Sequence, residues 1–135
     1  MSIMRKTFIT ITALVGVAVG LFALLAPAAL MASKGVAADP AAAVWVREVG
    51  VLILPLGVLA FLVRAEEDSR ALRSVLVANA LVHFGLFPIE IAAYRAGVIT
   101  ELSGIVPNSL LHVLLAAGFT YFAATMRLAA RTVSP

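Results

Sequence analysis

The chain has 135 residues, 63% of them hydrophobic and only 13% charged, with a formal net charge of +3. Soluble domains carry about 25% charged residues, so at a mean hydropathy of +1.10 there is too little polar surface here to cover a soluble core. With no cysteine in the sequence, disulfides, thiolate metal centres, iron–sulfur clusters and cysteine nucleophiles are excluded.

The hydrocarbon layer of a bilayer is about 30 Å thick and takes about 20 apolar residues to cross as a helix. Four stretches qualify, and they predict an all-α, four-helix transmembrane bundle in a single domain. The first runs from Thr7 to Leu30, uncharged between Lys6 and Lys34. That run exceeds the about 7–15 apolar residues of a signal peptide, so it reads as a span despite the basic Arg5-Lys6 start. Within it, Gly16 and Gly20 form a small-xxx-small motif suited to close packing inside the bundle.

The second span runs from Ala43 to Val63, and Asp39-Pro40 ahead of it reads as an N-cap followed by proline at the first helical position. The third runs from Leu72 to Tyr94, with Asp68 or Ser69 as its cap. The fourth runs from Ile105 to Met126, with Pro107 in its first turn and Ser103 as cap. Pro55 and Pro88 fall inside the second and third spans, where neighbouring helices must compensate the lost hydrogen bonds. The loops are short, so successive helices pack antiparallel, up-down-up-down.

Basic residues set the orientation. Arg5, Lys6, Arg64, Arg70, Arg73, Arg127 and Arg131 fall on one side; Lys34, Arg47 and Arg95 fall on the other. This asymmetry predicts cytoplasmic N- and C-termini. The same dispersal at span ends accounts for the high pI and gives no footprint for nucleic acid.

Charged groups at membrane depth cost about 2.5–3.5 kcal/mol even on lenient scales, so they normally face the bundle interior and find partners. Asn79, His83, Glu90 and Tyr94 recur at helical spacing on one face of the third span. Asn108 and His112 lie one turn apart on the fourth, and Arg47 and Glu48 follow Trp45 near the outer end of the second. Three spans thus bring Arg47, Glu48, Glu90, Asn108 and His112 to similar outer-half depth, with His83 beneath. The simplest pairing is Arg47 with Glu90. Interhelical packing alone would account for such a cluster. A binding site for a lipophilic or amphipathic molecule, or for a partner subunit, would account for it too.

A second helix opening with Arg47-Glu48-Val49-Gly50 and continuing through Gly57, and a fourth opening with Pro107-Asn108 and carrying His112, resemble the small bacterial DoxX-like four-helix membrane proteins. The resemblance implies a bacterial inner-membrane location and no particular activity. The residues leave two other readings open. One is a membrane enzyme using His83, His112 or Glu90 as acid–base groups on a lipophilic substrate. The other is a haem, or a metal, held between His83 and His112. A pore would require several copies to assemble.

Overall fold

The computed structural model describes residues 3–37 and 39–128. Five helices follow one another: α1 (Ile3–Leu25), α2 (Pro27–Ala32), α3 (Pro40–Val63), α4 (Arg70–Arg95) and α5 (Leu102–Thr125). The four long ones are each long and apolar enough to cross a membrane. Their outward faces carry large apolar side chains, among them Leu52, Leu62, Leu81, Phe84 and Leu114, all more than half exposed. On a soluble monomer such a surface would be an aggregation hazard; in a bilayer it is the lipid-facing wall.

The first span is not continuous. Pro27 has no N–H to donate to Ala23, and α1 stops at Leu25 with Ala26 at φ −136° and ψ 55°. The chain restarts as the short α2, then turns at Gly35, whose φ of +69° suits glycine. The expected run from Thr7 to Leu30 is therefore two helices, and the break lets the Ser33–Gly35 turn fold over the end of the bundle.

The other boundaries follow local chemistry. Asp39 caps α3, accepting from the amides of Ala41 and Ala42 at 3.1 and 3.2 Å, with Pro40 at the first helical position. Ser69 caps α4, accepting from Leu72 N at 3.1 Å. Asp68, the other candidate cap, is engaged elsewhere. Helix α5 begins earlier than expected, at Leu102 after Glu101, so Ser103 lies inside the helix and is not its cap; Pro107 lies a full turn beyond the start.

The bundle is two tight pairs. α1 packs along α3 and α4 along α5, whereas α1–α5 and α3–α4 touch only sparsely. Glycine makes the first pair tight: a Cβ on Gly57 would stand 2.8 Å from Val17 N, and one on Gly20 would stand 2.9 Å from Leu54 N. The Gly16/Gly20 motif thus serves packing within the chain. A shared core of Ile9, Ala13, Ala60, Leu72, Leu76, Ala80, Leu115, Phe119 and Ala123 joins the pairs in the half nearest the Arg64–Ser69 loop.

Polar contacts fasten both ends. At the loop end, Arg5 is buried in the first turn of α1 and pairs with Asp68, and its Nη2 donates to Glu66 O at 3.1 Å. Asp68 also accepts from the Arg127 amide at 2.7 Å, just beyond α5. At the opposite end, the Lys34 carbonyl accepts from Thr100 N and Glu101 N at 3.2 and 3.3 Å.

Candidate functional site

Between the two pairs lies a cavity of about 90 Å³ that all four long helices line. Its wall is mostly aliphatic, with Val15, Val19, Ile53, Leu56, Val82 and Leu86 among the lining residues. Its polar groups come from Thr12, Asn79, His83, Asn108 and His112. The tightly packed half of the bundle is its floor, where Phe119 is 2% exposed and stacks under His83 with ring centroids 5.8 Å apart.

Above the cavity sits a hydrogen-bonded cluster centred on Glu90, itself buried on α4. Oε1 pairs with the Lys34 ammonium and accepts from the Asn108 side-chain amide. Oε2 accepts from the Ser109 hydroxyl at 3.4 Å and lies 4.0 Å from His112 Nε2. Asn108 spans carboxylate and imidazole, because its Nδ2 is also 3.1 Å from His112 Nε2. The Nδ1 atoms of His112 and His83 then face each other at 2.9 Å. An unbroken polar chain therefore runs from Lys34 through Glu90, Asn108 and His112 to His83 and the cavity.

Four of the residues expected from sequence, His83, Glu90, Asn108 and His112, converge here. Arg47 does not. It is exposed, and Lys34 pairs with Glu90 in its place. The reason is angular: at about 100° per residue, Arg47 and the cavity-lining Leu56, nine positions apart, project from opposite sides of α3. Glu48 is likewise exposed, and stands opposite Gly57 on the face turned away from α1. Tyr94 is also separate. The spacing from Asn79 to Tyr94 drifts about 60° around the helix, and Tyr94 lines an open apolar groove of about 370 Å³ between α4 and α5 with Phe87, Ile91 and Val106.

Lys34 and Ser109 are the members of the cluster that the sequence did not single out. Lys34 reads as an ordinary flanking charge until the helix breaks at Pro27. The close approach that delivers it is visible at Gly104, where a Cβ would stand 2.9 Å from Lys34 Cα. Ser109 follows Asn108 directly, so only the turn of α5 shows that both reach Glu90.

A haem between the two histidines needs iron–nitrogen bonds of about 2 Å on either side of the macrocycle. Across a 2.9 Å gap the rings would first have to separate. No group of three or more His, Asp or Glu side chains suited to a metal ion occurs among the described residues.

Comparisons with protein-family models, curated proteins and solved structures give no match. The geometry of the chain itself carries the functional argument.

Proposed function

We propose that this is a bacterial inner-membrane protein with cytoplasmic termini, and that it binds a small lipophilic molecule in the cavity between its two helix pairs. The cavity is the observation that carries the reading. At about 24 cal/mol per Å³ of void, leaving all 90 Å³ empty would cost at most about 2 kcal/mol, since the cavity is partly open to the surface. That is a large fraction of the 5–15 kcal/mol by which proteins are typically stable, on the order of a fifth. A bundle built only to pack would close it by exchanging Val15 or Leu56 for a larger side chain. The cavity is smaller than the roughly 150 Å³ that admits benzene in an engineered core. Its occupant therefore inserts a narrow end, and the remainder runs out through the sparse contact between the pairs.

The DoxX-like resemblance belongs to the same proposal. Gly50 and Gly57 of that pattern face α1, and Asn108 and His112 line the cavity or its rim. Native mass spectrometry of protein taken into lipid nanodiscs tests the reading. Wild type should carry a non-covalent apolar adduct, and Leu56→Trp, which fills the cavity, should lose it at unchanged folded yield. Equal adducts on both proteins would refute it.

One observation favours a second reading. Two imidazoles in hydrogen-bond contact, with the Glu90 carboxylate 4.0 Å from His112 Nε2, place acid–base groups beside the cavity. A membrane enzyme acting on the same lipophilic occupant would use His83 as the group nearest it.

A further inference from the structure

The hydrogen-bonding polarity of the cavity follows from Glu90. A carboxylate only accepts hydrogen bonds, so the Asn108 amide must turn its NH2 group toward it. Reversing that amide would set two acceptor oxygens against each other. The second hydrogen of the same NH2 is directed at His112 Nε2, 3.1 Å away, which must hold a lone pair to accept it. An imidazole with a bare Nε2 carries its proton on Nδ1. His112 Nδ1 thus donates across 2.9 Å to His83 Nδ1. His83, accepting at Nδ1, carries its own proton on Nε2.

His83 lines the cavity, and its Nε2 has no hydrogen-bond partner among the described residues. Of the other polar groups there, the Thr12 hydroxyl gives its one hydrogen to Ile9 O at 3.0 Å and Asn79 Nδ2 gives one of its two to Val75 O at 2.9 Å, so their oxygens still accept. We infer that the cavity presents the His83 Nε2–H as a fixed donor, and so favours, over a plain hydrocarbon, an uncharged lipophilic molecule whose inserted end carries an acceptor, a carbonyl or ether oxygen. An ammonium head would be buried where no carboxylate lines the wall among the described residues. An anionic head would be buried where no lysine or arginine lines the wall. This assignment rests on the proposed ligand reading and adds the chemical class of the ligand.

Protein with nitrogen-labelled histidines, in nanodiscs, provides the test. Magnetic resonance should show His112 protonated on Nδ1 and His83 on Nε2. Methyl nonyl ketone should shift the His83 Nε2 signal and bind about three- to tenfold more tightly than undecane, the yield of one net hydrogen bond. His83→Phe keeps a ring over Phe119 and removes the donor, so it should erase that preference while undecane still binds. If both probes bind wild type equally, or if His83 is protonated on Nδ1, the donor assignment is overturned and the cavity reading stands. If neither probe binds wild type, both fall together.

Discussion

Replacing Lys34 by methionine should destabilise the protein, whereas the same change at Arg47 should not. The Lys34 and Glu90 side chains are 22% and 11% exposed. Breaking a fully buried pair costs about 3–5 kcal/mol, because one charge is left uncompensated. Two features reduce that figure here: Lys34 keeps some contact with solvent or headgroups, and Asn108 and Ser109 still donate to the carboxylate. A cost of about 2–3 kcal/mol remains, equivalent to a fall in melting temperature of roughly 6–10 °C for a chain of this size. Arg47→Met removes an exposed group outside the cluster and should stay within about 0.5 kcal/mol. Thermal unfolding of both variants in nanodiscs reads the contrast. Adding Glu90→Gln to Lys34→Met should restore most of the loss, since no unpaired charge is then left behind. Equal losses at the two positions, or no recovery in the double variant, would refute the assignment of Lys34 as the partner.

Four further outcomes are expected. The Arg5 guanidinium and the Arg127 amide hold Asp68 below the usual carboxylate range; its contribution is therefore present above the ordinary value of 3.8 and lost as pH falls through the lowered one. Asp68→Asn should thus be less stable than wild type at neutral pH, with the two unfolding midpoints converging in strong acid. Gly57→Ala presses a methyl into the α1 backbone and should cost about 1–3 kcal/mol. Gly85, where an added Cβ meets nothing within 4 Å, should tolerate alanine with a gain of about 0.5–1 kcal/mol in unfolding experiments. A cysteine-free chain allows single reporters at the two ends: an impermeant maleimide on intact cells should label Ala96→Cys and spare Glu67→Cys, and the reverse would invert the topology.

The spans were legible because hydropathy and length are summed over about 20 residues and tolerate local error. The caps at Asp39 and Ser69 were legible because their chemistry is local. The position of the polar residues along their spans could also be read, and His83, Glu90, Asn108 and His112 do meet in the structure. Direction failed at Arg47. Depth says how far along a helix a charge lies, but not which neighbour its side chain faces, and that depends on how α3 is rotated against α1. The rotation is fixed by Gly50 and Gly57 meeting Gly20 and Gly16, a contact between helices that no single span records. Lys34 was missed for a related reason. A long apolar run concealed the break at Pro27, and only that break allows the following turn to reach across to Glu90.

The same glycines explain why the cavity lies where it does. They draw α1 and α3 so close that their backbones touch. Helix α4 is bound to α5 by side chains, including the His83–His112 contact and the Glu90 cluster. The two pairs leave a seam between them. Phe119 and its neighbours fill the seam near the Arg64–Ser69 loop, and Arg5, Asp68 and Arg127 fasten that end. The Lys34 turn fastens the other end through Thr100, Glu101 and Glu90. With both ends tied, the gap between the pairs lies at mid-height, lined by Val15, Leu56, Val82 and His83. On the proposed ligand reading, a lipophilic occupant would reach His83 sideways through that gap.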